Sequence, residues 1–171
     1  MSVGISGAVA DAFNRQINSE LKASYAYRAM AAYFDDQQLP GFAKWFIQHA
    51  EEEVSHSMRL YDHLVQRGAR VTLEAMEQPE SEFADPEAAV LAALSMEGEV
   101  TAQINELFDL VQESKDFGSQ PVLHWFLDEQ VSEEDTFSRL LDQVKSAGDS
   151  RWHLLALDQQ LGGAGASVDE G

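Results

Sequence analysis

Residues 49–56 of the chain read HAEEEVSH, in the middle of a segment whose apolar residues recur with a helical period. Core-facing positions on a bundle helix are spaced about 3.5 residues apart. Glu53 and His56 fall on the same stripe as Phe46 and Leu60. An unpaired carboxylate on a buried helix face is costly, so this placement must be explained by what the other helices put opposite it.

The composition narrows the kinds of site that the chain can build. It has 171 residues and no cysteine, which excludes disulfides, thiolate catalysis and cysteine-ligated metal centres. Its formal net charge is -19, which argues against binding nucleic acid or anionic membranes, since both need basic patches. The first residues lack the pattern of a signal peptide and no apolar run is long enough to cross a bilayer. We therefore expect a cytoplasmic protein.

Proline and glycine are sparse and mark the ends of helical segments. We expect one domain over residues 1–161, with helices at about 6–36, 40–67, 86–114, 120–147 and 150–161. Residues 162–171 are rich in glycine and alanine and are predicted to be a flexible tail. Because no segment alternates apolar and polar residues like a strand, the predicted fold class is all-α.

The long connection between the second and third helices predicts the topology. Short loops leave successive helices antiparallel, but roughly 17 residues can extend up to about 55 Å, enough to run back along a helix about 40 Å long. The second and third helices would then be parallel. One such crossover is typical of a ferritin-like four-helix bundle, in this chain with a short fifth C-terminal helix.

The core-facing stripe of each long helix is apolar at both ends and carries a glutamate near its middle. These glutamates lie about 11 to 14 residues from the start of their helices, or roughly 16–21 Å along them. They should therefore meet at one level of the bundle whether the helices run up or down. They are Glu20, Glu53, Glu97 and Glu133.

Bound cations are the simplest explanation for four converging carboxylates. A single inward glutamate is more often a boundary residue that reaches solvent, and a single core histidine is more often hydrogen-bonded. Four such interruptions at one depth favour a metal site, because unpaired carboxylates in an apolar core are prohibitive. Oxygen ligands with one or two imidazoles suit iron, manganese or zinc.

With these motifs the chain resembles the non-haem bacterial ferritins, of the ferritin-like di-iron superfamily, over essentially its whole length. The resemblance is specific because Glu, Glu-x-x-His, Glu and Gln-x-x-Glu occur in order on four helices. The matching pieces are NSEL at 18–21 followed by Tyr27, HAEEEVSH at 49–56, Glu97 ahead of QINEL at 103–107, and WFLDEQ at 125–130 with Glu133.

The resemblance implies a ferroxidase centre that holds two iron ions in each subunit. Glu20, Glu53 and His56 would bind the first iron, and Glu53 would bridge to a second held with Glu97 and Glu133. Gln130 would lie close by. Tyr27 is either a core tyrosine with a satisfied hydroxyl or a hydrogen-bond or electron donor beside the metals. Trp125 is a candidate electron donor by resemblance, although a large aromatic residue on a bundle helix is more often packing.

The resemblance also gives expectations for the surroundings of the pair. Glu52 and Glu129 are candidates for an accessory iron site, and Ser132 stands where a further glutamate is expected. Bacterioferritins hold haem through a methionine directly after the bridging glutamate, where this chain has Val54, so no haem is expected. His49 is interpreted as a structural residue. His63, His124 and His153 have no partner pattern.

The implied function is iron storage, in which Fe(II) is oxidised by dioxygen or peroxide and Fe(III) is deposited in a hollow homo-oligomeric shell. The resemblance implies that this shell has 24 subunits. The apolar residues of the fifth helix favour such assembly, because they need a partner. Two alternatives stay open on the sequence. One is another di-iron oxidase or peroxidase of the ferritin-like class, and the other is a non-catalytic bundle that only sequesters metal.

Overall fold

The computed structural model describes residues 4–163, which form five α-helices and no β-strand. The predicted all-α class is therefore confirmed. A single 3-10 turn, Phe117–Ser119, precedes the fourth helix. The helices are α1 (Gly7–Asp36), α2 (Pro40–Gln66), α3 (Pro86–Glu113), α4 (Gln120–Ala147) and α5 (Arg151–Gly163).

The helix ends have local physical causes. The Oγ atom of Ser6 accepts a hydrogen bond from the Val9 amide at 3.3 Å, and the Asp85 carboxylate accepts one from Ala88 at 2.8 Å. Proline opens α2 and α3, where its missing N–H has no cost. The prediction that residues 162–171 are a flexible tail was wrong for 162–163, which complete the last turn of α5. Residues 164–171 lie outside the described part of the chain.

Contacts along the bundle establish its topology. Ser24 donates a hydrogen bond to the Ala50 carbonyl, and Phe34 stacks on Phe42, so α1 and α2 are antiparallel. Ser19 pairs with Gln103 and Tyr27 with Glu97, so α1 and α3 are also antiparallel. It follows that α2 and α3 are parallel and joined by a crossover, as the length of the connection predicted.

Two asparagines on α1 hold the crossover against the bundle. Asn14 donates to the Arg70 carbonyl at 2.9 Å and accepts from the Thr72 amide at 2.7 Å. One turn later, Asn18 donates to the Thr72 carbonyl at 2.9 Å and accepts from the Glu74 amide at 2.8 Å. The asparagine side chains thus pair with successive backbone groups of an extended segment that has no strand partner.

The apolar core consists of two clusters, one towards each end of the bundle, with the polar layer between them. The stripes predicted for α1 and α2 are buried throughout. On α3 the predicted stripe runs through Leu94, Thr101 and Phe108. That part of the prediction was wrong, because these three side chains are only half-buried and the residue before each of them is buried instead. None of the helices within residues 4–163 combines the length and apolarity needed to cross a membrane.

The fifth helix docks on the beginning of α2. Asp158 is buried, and its Oδ1 atom accepts a hydrogen bond from the Phe42 amide at 2.9 Å, capping α2 from a residue 116 positions away. The backbones approach so closely that a Cβ added to Gly41 would lie 1.8 Å from the Asp158 carbonyl oxygen. Glycine at position 41 is therefore a packing requirement. Trp152, at the other end of α5, remains largely exposed.

A polar network joins α2 to the turn before α4. Arg67 contacts Asp116 at 2.7 Å, and Ser119 Oγ donates to the same carboxylate at 2.6 Å. The Nε2 atom of His63 lies 2.8 Å from Ser119 Oγ. His63, which had no partner pattern in the sequence, therefore belongs to a half-buried network that ties α2 to the turn before α4.

Candidate metal centre

The four central glutamates and His56 are all buried at one level of the bundle, as the stripes predicted. Glu20, Glu53 and His56 each offer one ligand atom, and these three atoms lie within 4.8 Å of one another. His56, Glu129 and Glu133 form another such group. The sequence-predicted residues of α1, α2 and α4 are thus brought within reach of shared cations.

Helical spacing and one neighbour orient the carboxylates on the α1–α2 side. Glu53 and His56 are three residues apart, so their side chains lie on one face, with His56 Nδ1 3.3 Å from Glu53 Oε2. Gln16, one turn before Glu20, donates its Nε2–H to Glu20 Oε1 at 2.8 Å. One oxygen of Glu20 is therefore fixed by α1 itself.

The α3–α4 side is built around Glu97. The hydroxyl of Tyr27, on α1, donates to Glu97 Oε1. Gln130 donates its amide nitrogen to Glu97 Oε2 and to the Glu97 carbonyl, each at 3.2 Å, and the same nitrogen lies 3.2 Å from Thr101 Oγ1. Tyr27 and Gln130 thus hold the Glu97 carboxylate from two sides, which fixes its direction.

Burial and mutual repulsion favour the protonated form of these carboxyls when no cation is bound. Burial, reinforced by the surrounding carboxylates, raises the pKa values of Glu53 and Glu133 to about 8. Burial and the nearby Glu53 raise the pKa of Glu20 well above its usual range. Burial also raises the pKa of Glu97, against the hydrogen bonds from Tyr27 and Gln130. The tyrosine's own pKa is raised by burial and by the neighbouring Glu97.

Several potential ligand atoms of the cluster have no partner within the protein. Glu20 Oε2, Glu133 Oε2 and His49 Nδ1 are buried and lack a hydrogen-bond partner. Buried polar atoms are rarely left unpaired, because each costs free energy. Carboxylate oxygens with imidazole nitrogen form a donor set that suits divalent iron. The residues present therefore fit a site for iron ions.

Glu52 and Glu129, the residues expected at an accessory site, lie in two different groups of potential ligands. Glu52 is half-buried beside His49, with its Oε2 atom 3.1 Å from His49 Nδ1, and this contact lowers the pKa of Glu52. Glu129 lies on the other side, with Oε1 3.8 Å from His56 Nε2. Ser132 is exposed. Glu52 and Glu129 each group with Glu133 and not with each other.

His49 is the residue at the site that sequence reasoning missed. The prediction of a purely structural residue was incomplete, because His49 forms a potential ligand group with Glu52 and Glu133. Its position on the core stripe, one turn from Glu53, was the only signal in the sequence. The deciding contact is with Glu133 on α4, at 3.6 Å, and this depends on the packing of two helices.

Trp125 contacts the centre through His56. The two rings meet edge-on with their centroids 5.4 Å apart, and the guanidinium carbon of Arg59 lies 3.9 Å from the centroid of the indole ring. A cation over an indole face is stabilised by the ring's quadrupole. Trp125 therefore both packs beside the centre and carries a positive charge against its face.

The comparisons with known proteins agree with this geometry. Residues 10–147 match the Ferritin family, described as a ferritin-like domain. The chain is 38% identical over 160 residues to a bacterial non-heme ferritin of Staphylococcus saprophyticus, covering 94% of this chain and 95% of that protein. It is 37% identical over 152 residues to the bacterial non-heme ferritin of Staphylococcus aureus, covering 89% of this chain and 92% of that protein.

A solved structure gives the same result. The open pore ferritin of the hyperthermophilic archaeon Archaeoglobus fulgidus superposes with a TM-score of 0.92 at 38% sequence identity, covering 93% of this chain and 98% of that chain. Its likeness extends over the bundle and beyond the family match at residues 10–147. Sequence and structure thus agree that this chain belongs to the ferritin family.

Proposed function

We propose that this protein stores iron by oxidising Fe(II) at a two-iron centre inside its own bundle and depositing the Fe(III) product in a hollow shell. Membership of the ferritin family supports iron storage. The observation that carries the oxidation step is the buried layer of four carboxyls and His56, where two carboxylate oxygens have no partner in the protein. Iron is the substrate of this reaction.

The positions of the side chains support the ligand assignment that we propose. Glu20, Glu53 and His56 hold the first iron, since their donor atoms already lie close together. Glu53 is shared with the second iron, which Glu97 and Glu133 complete. Gln130 supports Glu97 through its amide nitrogen, leaving its oxygen as the group that can face an ion.

The electrons and protons balance with what the site and its substrates supply. Two Fe(II) ions each give one electron to one dioxygen molecule, which takes up two protons and becomes hydrogen peroxide. Glu53 and Glu133 hold protons near neutral pH, because their pKa values are about 8, and cation binding displaces those protons. Hydrogen peroxide is the alternative oxidant, and it takes up the same two electrons with two protons to give two water molecules.

Tyr27 is placed to respond to the state of the second iron. Its hydroxyl donates to Glu97 and its ring stacks on Phe137, with centroids 5.4 Å apart. A change in how Glu97 binds an ion alters the hydrogen bond that the tyrosine makes. We assign Tyr27 to holding Glu97 and to supplying an electron when only one Fe(II) is available.

The shell is the second part of the proposal. The similar proteins are ferritins, and an assembly of 24 subunits in the cytoplasm is the arrangement that we propose for this chain. Trp152 on α5 is 78% exposed. A large apolar side chain on a terminal helix is a favourable contact for a symmetry mate.

Rapid mixing of the purified shell with Fe(II) in aerated buffer tests the function. We expect a fast ferric absorbance phase that saturates near two Fe(II) per subunit, followed by slower uptake of much more iron that stays with the protein on size exclusion. A bundle that only sequesters metal would show no fast phase. An oxidase for another substrate would retain no iron beyond the pair.

A variant comparison assigns the two iron positions. His56→Ala removes a ligand of the first iron only, so it should weaken the tighter step of anaerobic Fe(II) binding and leave a second step measurable. Equal loss of both steps would contradict the assignment of His56 to one ion. His124→Gln, a histidine of α4 outside the centre, is the matched control.

A further inference from the structure

We propose that Thr101 is a positioning residue for the second iron, because it takes over an amide hydrogen of Gln130 when Glu97 turns to bind an ion. The inference rests on the proposed function, which makes Glu97 a ligand of that iron. Thr101 lies one turn after Glu97 on α3 and is half-buried. Its Oγ1 atom is 3.2 Å from Gln130 Nε2.

Both carboxylate oxygens of Glu97 are engaged by hydrogen-bond donors. Tyr27 donates to Oε1, and Gln130 donates to Oε2. Within residues 4–163, none of the groups of three potential ligand atoms that lie within 4.8 Å of one another includes Glu97. To complete the second iron, Glu97 must therefore release at least one of these two hydrogen bonds.

The surroundings of Tyr27 make Oε1 the costly oxygen to release. The tyrosine is completely buried, and its ring packs against Phe46 and Phe137. Its hydroxyl carries a single hydrogen. Release of Oε1 would take the acceptor away from that hydrogen inside the core, and an unpaired buried donor costs free energy. Oε2 is therefore the oxygen to be released.

Gln130 can release Oε2 without this cost. Its amide nitrogen carries two hydrogens and has three acceptors at 3.2 Å, namely Glu97 Oε2, the Glu97 carbonyl and Thr101 Oγ1. One acceptor is therefore surplus. When Oε2 turns to an ion, the carbonyl and Thr101 still satisfy both hydrogens. Thr101 thus frees a carboxylate oxygen for the metal while the buried Gln130 keeps its hydrogen bonds.

Replacing the hydroxyl of Thr101 by a methyl group of similar shape tests this role. In Thr101→Val, binding of an ion through Glu97 Oε2 leaves one buried N–H of Gln130 unpaired. We expect the second step of Zn²⁺ binding, measured by isothermal titration, to weaken by about 10- to 100-fold, the cost of one such group. The first step, at Glu53 and His56, should be unchanged. Thr101→Ser keeps the oxygen and should restore the second step.

Two further measurements separate positioning from a general loss of stability. The unfolding temperature of Thr101→Val should differ from that of the unaltered protein only when zinc is present, because without metal both hydrogens of Gln130 keep an acceptor. In zinc-loaded crystals of the unaltered protein, Gln130 Nε2 should lie about 2.9–3.0 Å from Thr101 Oγ1 and out of hydrogen-bond distance of Glu97 Oε2. Thr136→Val, at a half-buried position on α4, is the matched control and should leave both binding steps unchanged.

The outcomes separate this inference from the proposed function. If Thr101→Val bound two zinc ions with unaltered affinity, and Gln130 Nε2 stayed paired with Glu97 Oε2 in the zinc-loaded crystal, the inference would be overturned and the iron pair would stand. An unaltered protein that bound no zinc at Glu97 would overturn both. If Thr101→Val does not fold, the distances in the zinc-loaded crystal of the unaltered protein decide.

Discussion

Cation binding to the centre should release about two protons or more per subunit at pH 7. Glu53 and Glu133 have pKa values of about 8 in the metal-free protein. Each is therefore about 90% protonated at pH 7, and together they hold roughly 1.8 protons. A bound cation requires the carboxylate form, so these protons are lost to buffer. Glu20 and Glu97, whose pKa values are also raised, can only add to this number.

Isothermal titration with Zn²⁺ in two buffers of different ionisation enthalpy measures the release directly. The sign follows from the raised pKa values: release is largest below pH 8, where the metal-free protein holds the protons, and falls to roughly 0.2 from these two groups at pH 9. Zinc affinity should rise over the same range. In the Glu53→Gln variant the side chain at position 53 has no proton to lose, so zinc binding should release about one proton fewer than in the unaltered protein.

The reasoning would be refuted if zinc bound at both positions of the pair with release well below one proton per subunit at pH 7. That result would mean that the carboxylates are already ionised in the metal-free bundle. The prediction rests on Glu53 and Glu133 being mostly protonated in the metal-free bundle at pH 7. A release that stayed constant between pH 7 and 9 would contradict it equally.

Three substitutions test other parts of the structure. Glu53→Ala should slow the fast phase of Fe(II) oxidation by more than roughly 100-fold, because loss of a residue that merely supports a ligand already lowers activity by up to about 100-fold. The size-exclusion profile should stay unchanged, and an unaltered fast phase would contradict the bridging role. Gln16→Leu removes the donor to Glu20 Oε1 and should destabilise the zinc-loaded protein by about 1–3 kcal/mol. The measurement is the unfolding temperature, which should fall. An unchanged temperature would show that this hydrogen bond is dispensable. Gly41→Ala places a methyl group against the Asp158 carbonyl and should lower the free energy of unfolding by roughly 1–3 kcal/mol. Proteolysis within α5 should become faster. Unchanged protection of α5 would show that the backbones can separate without loss.

The sequence was sufficient for the architecture because the relevant signals are local. Helix ends are marked by proline, glycine and capping side chains, and the length of the connection predicts the crossover. The stripes of α1 and α2 are correct because each has a single apolar face. On α3 the apolar residues lie on two adjacent faces, so Ala93, Val100 and Leu107 compete with their neighbours for the core. Only packing against the other helices decides between those faces.

The burial of the four central glutamates was predictable from the sequence, but the contacts that orient the side chains around them were not. Four glutamates at one depth follow from the helix lengths, since rise per residue is constant. The roles of Gln16, which orients Glu20, and of His49, which faces Glu133, depend on side-chain directions. The separation of Glu52 from Glu129 depends in the same way on where α2 and α4 touch. The spacing of Gln16 and Glu20 permits their hydrogen bond without requiring it. The other contacts join different helices, and the spacing along the chain does not reveal them.

The contact between Asp158 and the start of α2 has a consequence for how the chain is made. During synthesis α2 emerges early, and the carboxylate that accepts from the Phe42 amide in its first turn arrives more than a hundred residues later. Until then that amide can be satisfied only by water. A ribosomal product that stops short of α5 therefore keeps an open helix end and an uncovered backbone at Gly41. Helix α5 thus completes the start of a helix that is made much earlier, so that a chain truncated before α5 lacks part of its tertiary structure.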